Sequence, residues 1–322
     1  MRRISQLVVL GLLCLLIGCS QGGNSSSNQA PNANDDAFTV AAGLDASLDL
    51  SASDADGDPL TWRIVSLPPN GTLTGAGPNC TYTPDPGYTG PDSFTFEVSD
   101  GKESSTIATV TITVVNVWFV DLNAGGVADG TSWADALAHP QDGNDLANPG
   151  DQVWVAAGNY VWVAGFQVLL LSSDVAIYGG FDGTESCLEQ RDYTNNVTTL
   201  NGDTDGNGTG DVSRVVQIPW TVTNARLDGF TITKGNANGG GVDARGGGFL
   251  TQGLTNVTVA NCIVTDNFGS EGGGMNDEQS DGTLVFQNVI FSNNTGGNGG
   301  AVYLWNGSAP TFDGVTFIEN TT

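Results

Sequence analysis

Asp228-Gly229-Phe230-Thr231-Ile232, Asn261-Cys262-Ile263-Val264, Asn288-Val289-Ile290-Phe291 and Gly314-Val315-Thr316-Phe317 are four copies of one short pattern. A second pattern keeps step with it, because Gly246-Gly247-Gly248-Phe249, Gly272-Gly273-Gly274-Met275 and Gly299-Gly300-Ala301-Val302 each follow one copy. From Gly229 the intervals are 32, 27 and 26 residues, and from Phe249 they are 26 and 27. A period of this size marks an array of stacked units, each too small to bury its own apolar face. The first pattern alternates apolar and small polar residues as a strand does, and the glycine run supplies the backbone freedom of a tight bend. Neither is helical. Each repeat therefore reads as one rung of a parallel β-helix: strand, bend, strand, return.

These repeats resemble the right-handed parallel β-helix domains of large secreted and surface proteins of bacteria, of the polymorphic outer-membrane-protein-like kind. The resemblance rests on Asn261-Cys262-Ile263-Val264-Thr265-Asp266-Asn267 and Gly299-Gly300-Ala301-Val302-Tyr303. It extends to a lead-in made of Val120-Asp121, Asp129-Gly130-Thr131-Ser132-Trp133, Gly150-Asp151-Gln152-Val153-Trp154-Val155-Ala156-Ala157-Gly158-Asn159-Tyr160 and Ile177-Tyr178-Gly179-Gly180-Phe181. It covers residues 117–322 and implies a fold; one scaffold hosts many functions, so it implies no activity. Within the lead-in, Trp133-Ala134-Asp135-Ala136-Leu137-Ala138 is predicted to be a helix that follows Thr131-Ser132 and covers the open end of the solenoid. The chain stops at Thr322 just after the first strand of a rung, so the solenoid is expected to be incomplete at its C-terminus.

The other end reads as an export signal. Arg2 and Arg3 precede an apolar run at residues 7–17, too short to span a bilayer as a helix, and Leu16-Ile17-Gly18-Cys19 resembles the lipobox of bacterial lipoproteins. The resemblance implies cleavage before Cys19, lipidation of Cys19, membrane attachment through the added acyl chains, and an outer-membrane or cell-surface site. Residues 20–34, rich in Gly, Ser, Asn and Gln, read as a flexible tether. Beyond the signal only seven basic residues face 35 acidic ones. Such a chain repels phosphate backbones, which excludes nucleic-acid binding, and attracts divalent cations. After Cys19 three cysteines remain, Cys80, Cys187 and Cys262, an odd number that argues against a full disulfide framework; Cys262 reads as a small buried hydrophobe, and a bridge from Cys187 to Cys262 is left open.

Residues 35–116 read as an immunoglobulin-like β-sandwich. Short alternating runs such as Leu60-Thr61-Trp62-Arg63-Ile64-Val65, Ser93-Phe94-Thr95-Phe96-Glu97-Val98 and Ala108-Thr109-Val110-Thr111-Ile112-Thr113-Val114 are separated by Gly, Pro, Asn and Asp turns. The segment is similar to the cadherin-like, immunoglobulin-fold repeats of bacterial surface proteins, which are spacers and adhesive modules. The fold expected for the whole chain is all-β: this sandwich followed by a right-handed parallel β-helix.

Two acidic loops are candidate calcium sites, because calcium takes six to eight oxygen ligands. Asp54, Asp56 and Asp58 alternate around a glycine turn. Asp203, Asp205, Asn207 and Asp211 place oxygens at positions 1, 3, 5 and 9 of a calcium-type loop with Gly208 at position 6, although Arg214 stands where a bidentate carboxylate would complete it. Both loops also read as plain Asp/Asn/Gly turns. Carbohydrate-active enzymes on this fold need paired carboxylates, and Asp228, Asp243, Asp266, Glu271 and Asp313 offer several pairs. The basic and histidine residues that such enzymes set beside them are scarce: His139 is the one histidine, and Lys102 and Lys234 are the only lysines. Asn201, Asn238, Asn261, Asn267, Asn288, Asn293 and Asn294 read as ladders or turns of the solenoid, and Trp220 and Trp305 as residues that pack on the next coil or stack on a sugar. The function expected is a surface-anchored, non-enzymatic lipoprotein for adhesion, display or binding of an extracellular glycan or matrix component. The alternative is a polysaccharide lyase or glycoside hydrolase.

Overall fold

Short strands make almost every element among the described residues. The computed structural model describes residues 27–161, 167–253, 256–280 and 282–322; Cys19 and the expected export signal and lipobox lie outside the described residues. The protein is nearly all-β. No helix among the described residues is long and apolar enough to cross a membrane.

In the N-terminal part, Asp36–Ala41 pairs in parallel with Ala108–Val115, which is antiparallel to Gly90–Ser99, itself antiparallel to Thr61–Ser66. A second sheet joins Ala46–Asp49, Asn79–Pro84 and Gly71–Thr74. Ala108–Val115 alternates buried and exposed along its length, and Phe94, Phe96, Val98, Val110, Ile112 and Val114 meet Leu48 and Tyr82 of the other sheet in one core. Asn32–Ala33 pairs with Ala52–Ser53, so β-structure begins inside the stretch that composition assigned to a tether. The short strand was invisible to composition, because of its two residues only Ala33 is buried, while side chains of its neighbours bond across to the domain.

From Val117 onward each strand pairs in parallel with its equivalent one coil later. Among the described residues this produces four parallel sheets of seven, six, five and three strands. Register places Ile177, Leu227, Val259, Phe286 and Phe312 in one inward row of the first. Tyr160, Leu200, Ile232, Val264, Phe291 and Phe317 form the row of the second, and Leu169, Val216, Phe249, Met275 and Val302 that of the third. The three rows converge on one continuous core, in which each buried large side chain contributes about 2–3 kcal/mol. The glycine run closes each coil because its backbones nearly touch. A Cβ on Gly247 would lie 2.2 Å from the Phe268 carbonyl oxygen, and one on Gly273 would lie 2.3 Å from that of Thr295.

Asparagine does two different jobs in the stack. Asn267, Asn294 and Asn320 form an interior ladder, with amide-to-amide bonds of 3.0 and 2.9 Å and further bonds to the carbonyls of Ile232, Val264 and Phe291. Asn261 and Asn288 instead occupy corners with φ of 50° and 53°, in the left-handed region that Gly229 and Gly314 adopt at the equivalent corners.

The helix predicted at 133–138 is absent. Leu137 bridges the strand Val117–Val120 instead, its N–H donating to the Phe119 carbonyl and its own carbonyl accepting from Asp121 N–H, while Ser132 and Asp135 bond each other and Asp129 closes a turn on Thr131. Trp133 lies against Phe119 and Phe181 and donates to the Glu185 carbonyl. Local side-chain bonds to the backbone compete with helix here. The α-helix lies just beyond, at Pro140–Leu146, where Gly143 approaches the side chain of Val153 and Asn144 donates to the Leu170 carbonyl.

The sandwich and the stack are joined by more than the chain between them. Val40 and Cys187 form an antiparallel bridge, Thr39 N–H donates to both Glu189 carboxylate oxygens at 3.0 and 3.1 Å, and Ser47 N–H donates to Ser186 Oγ at 2.9 Å. Cys187 is buried in the sandwich core, while Ala41 and Leu44 pack with Phe119, Trp154, Phe181 and Leu188 of the stack.

Candidate functional site

Register puts Asp228 on the outer side of the seven-stranded sheet, next to Tyr178 on the preceding coil and Ala260 on the following one. Its carboxylate is 1% exposed. Arg191 Nη2 donates to one oxygen at 2.7 Å, Arg226 donates to the other through Nε at 2.9 Å and through Nη2, and Asn261 Nδ2 donates at 2.9 Å. Two guanidinium groups thus balance a buried anion that would otherwise be costly. Arg191 also lies between two aromatic rings, 4.9 Å from the centroid of Tyr178 and 5.3 Å from that of Tyr193.

A groove of about 380 Å³ opens beside this network. One wall is the loop that carries Tyr193, Thr194 and Val197. The other is the outer face of the six-stranded sheet and its corner, with Thr231, Ile263 and Ile290 in one register row and Asn261 and Asn288 at the corner. Asp192 holds the wall in shape: its carboxylate accepts from the N–H and Oγ1 of Thr194 and from the N–H and side chain of Asn195, bonds that keep it down at about 2.

Three of the five carboxylates considered for hydrolysis are engaged by arginine. Asp228 is held as described. Asp243 pairs with Arg214 at 3.1 Å, and Glu271 pairs with Arg245 at 3.1 Å, an arginine that also binds Glu278 and stacks on Trp305. Asp266 is an exposed turn residue with φ of 55°, and Asp313 is an exposed residue of the strand Thr311–Asp313. His139 sits at the N-terminus of Pro140–Leu146, far in sequence from all of these. Trp220 lies against Gly253 on the next coil.

Of the calcium candidates, Asp203, Asp205 and Asp211 are brought together, each offering a carboxylate oxygen within 4.8 Å of the others. These all-oxygen, mostly exposed donors suit a hard cation. The carboxylates are also engaged by the loop itself: Asp211 accepts from Thr204 N–H at 2.7 Å, Asp203 from Gly206 and Gly208 N–H at 2.8 and 2.7 Å, and Asp205 from Asn207. Asp54 accepts from the N–H groups of Asp56 and Asp58, Asp56 from that of Gln29, and Asp58 is ion-paired with Lys102 at 2.7 Å.

Cys80, Cys187 and Cys262 are free and buried. Cys187 belongs to the sandwich core and Cys262 to the stack core, so the bridge between them left open by the sequence does not form. Burial pushes the Cys187 and Cys262 thiols up to about 12 and raises that of Cys80.

Sequence reasoning missed Tyr193, which lies in a turn-rich stretch with no repeat signature, and Asp277, a fully buried acid on the inward side of the five-stranded sheet. The latter accepts from Thr251 Oγ1 at 2.7 Å and from Ser280 Oγ. Its appearance at a strand position occupied by Thr251 one coil earlier and Leu304 one coil later was the available signal.

Among known proteins, no curated protein matches the chain. Among solved structures, an endo-fucoidan hydrolase of glycoside hydrolase family 107 is 30% identical over 28% of this chain and 14% of that one, with a TM-score of 0.23. A nucleoside hydrolase-related hypothetical protein from Saccharophagus degradans, associated with carbohydrate metabolism, is 18% identical over 27% of this chain and 26% of that one, at 0.22. A 2,6-sialyltransferase from Photobacterium sp. is 14% identical over 57% and 41%, at 0.23. The chain spans well under half the length of each, and superpositions this loose bear on neither fold nor activity. The bacterial Ig domain family model matches residues 28–113, the span that holds both sheets of the sandwich. Residues 28–113 are an Ig-like domain of the bacterial kind.

Proposed function

We propose that this is a non-enzymatic protein of the bacterial outer membrane or cell surface, anchored by a lipid on Cys19, in which an Ig-like domain presents a right-handed parallel β-helix for adhesion, display or binding of an extracellular glycan or matrix component. The observation that supports the non-enzymatic part is the fate of the carboxylates. Glycoside hydrolysis needs one acid free to give up a proton and a second free to act as base or nucleophile across one groove. Asp228, Asp243 and Glu271 are each engaged by arginine, and the two that are not, Asp266 and Asp313, stand apart in the fold, one in the turn after Ile263–Thr265 of the six-stranded sheet and the other on Thr311–Asp313 of the seven-stranded sheet. A bacterial Ig domain at residues 28–113 supports the surface setting. The docking of Glu189, Ser186 and Cys187 against that domain supports a spacer that holds the stack at a set orientation. Calcium bound by Asp203, Asp205, Asn207 and Asp211 would neutralise part of a strongly acidic surface and stiffen its loop.

The experiment is a panel of neutral and acidic polysaccharides assayed both for binding and for new reducing ends or unsaturated products. Binding without turnover is the expected outcome. Turnover lost on Asp228→Asn, Asp266→Asn or Asp313→Asn would make the protein a carbohydrate-active enzyme. Acyl-chain labelling of wild type and Cys19→Ala tests the anchor, with label expected only in the wild type.

A further inference from the structure

We propose that the groove between Tyr193 and the Asn261–Asn288 corner is a subsite for a neutral saccharide; this rests on the glycan-binding reading above and assigns it a place. The first argument is charge. The chain carries 35 acidic residues, yet no charged side chain lines this groove. The charges beside it are already met by the protein: Asp228 is buried and balanced by Arg191 and Arg226, and the Asp192 carboxylate behind the Tyr193 wall accepts from Thr194 and Asn195. A ligand that fits such a lining is itself uncharged, since an ionic group would lose hydration without gaining a partner.

The second argument is the pairing of apolar and polar groups. Val197, Ile263 and Ile290 are large apolar side chains left exposed, beside the half-exposed ring of Tyr193, and between them stand the amides of Asn261 and Asn288 and the hydroxyl of Thr231. A pyranose offers the matching combination, a face of C–H groups that packs on an aromatic ring and a rim of hydroxyls. A purely apolar ligand would bury the amides without partners, at a cost.

The third argument is preorganisation. Asn261 Nδ2 donates to Asp228, so its Oδ1 points the other way and accepts from Asn288 Nδ2 at 3.4 Å. The orientation of each amide is thereby set by the buried ion pair, and the series ends on Asn288 Oδ1, an acceptor for a sugar hydroxyl. Gly314 keeps that atom clear, because a Cβ there would lie 2.6 Å from it. Tyr193 is fixed as well, with Arg191 beside its ring and its backbone lying against Gly180. Rigid groups lose little entropy on binding.

The test measures binding of the full chain to immobilised mannan, xylan and β-glucan, to alginate and sulfated fucan, and to phosphatidylcholine vesicles, for wild type, Tyr193→Ala and Asn288→Gly. Asn288→Gly removes the terminal acceptor while suiting the φ of 53°, and Gly229 and Gly314 already stand at equivalent corners, so the fold is retained. The expected result is binding to at least one neutral polymer, weakened about tenfold by either substitution, the loss of one well-placed contact. Neutral-polymer binding left intact in both variants would overturn the subsite and leave the glycan reading standing. Binding confined to the acidic polymers or the vesicles would overturn the charge argument. A wild type that binds no polymer would remove the glycan reading and the subsite together.

Discussion

Replacing Asn294 with alanine removes the middle of the interior ladder, and its cost can be worked from the bonds lost. Asn294 Oδ1 accepts from the Asn267 N–H at 3.1 Å and from Asn267 Nδ2 at 3.0 Å; its Nδ2 donates to the Val264 carbonyl at 2.8 Å and to Asn320 Oδ1 at 2.9 Å. Asn294 is 0% exposed, so water does not take over these roles. Two backbone groups, the Asn267 N–H and the Val264 carbonyl, are left buried without their partner, each at about 1–3 kcal/mol. With the small cavity added, the loss comes to about 3–5 kcal/mol, a large share of the roughly 5–15 kcal/mol that holds a typical domain together. Asn293 is the internal control: it is adjacent, exposed and at φ of 54°, so Asn293→Gly should shift stability by no more than about 0.5 kcal/mol. Urea titrations followed by tryptophan fluorescence compare the two. A loss below about 1 kcal/mol for Asn294→Ala, or one equal to that of Asn293→Gly, would refute the view that amide stacking holds this corner of the coil.

Three other outcomes follow from the same geometry. Cys80, Cys187 and Cys262 are buried with raised thiol pKa values, so iodoacetamide in mildly alkaline buffer should label none of them until denaturant is added; labelling of the native chain at the rate of a free thiol would contradict the packing. Burial raises the pKa of Asp277, so the stability of its neutral form is present below the unfolded value of about 3.9 and is lost as pH rises through the folded value. Asp277→Asn should therefore gain on wild type as pH rises from about 4 to 7, and a widening deficit over that range would reverse the assignment. Calcium added to chelator-treated protein should release heat and raise the unfolding temperature, by as much as about 2.7 kcal/mol of stability at a hundredfold excess over Kd. Asp203→Asn should abolish the effect, and an absence of heat and of any temperature shift would leave the loop a plain turn.

What the sequence made legible was whatever recurs. Successive members of the rows Leu227–Val259–Phe286 and Ile232–Val264–Phe291 are one coil apart in sequence and adjacent in space, so the repeat intervals of 32 and 27 residues already state the register. Asn267 and Asn294 were legible for the same reason. The helix at 133–138 was misplaced because a good local helix pattern competed with backbone bonds from Leu137 to the strand Val117–Val120, a partner some 18 residues away that propensity does not register. The joint between sandwich and stack was not legible at all. Its bonds link Thr39 to Glu189 and Ser47 to Ser186, about 140–150 residues apart, through a short 3₁₀ turn with no apolar period of its own.

The places where the period fails are also where the chemistry collects. Ala176 pairs with Arg226, which makes one coil 50 residues long, whereas Thr258 pairs with Val285 and Val285 with Thr311, coils of 27 and 26 residues. The surplus of that single coil holds the docking segment Ser186–Gln190, Arg191 and the Tyr193 wall of the groove, and the carboxylate loop Asp203–Asp211. A strand in the stack cannot be lengthened or reshaped without breaking register with two neighbours, so the regular coils tolerate change only in outward side chains. An insertion between strands escapes that constraint, because its added length costs little closure entropy and leaves the ladder intact. The regular coils then act as a ruler that sets Asn261, Asn288, Ile263 and Ile290 at fixed spacing, and the irregular coil supplies the one wall that turns a flat ladder into a groove. Deleting residues 192–197 from an otherwise intact stack would on this argument return a flat face, and the length of that coil, rather than any motif within it, is the mark by which the sequence announces it.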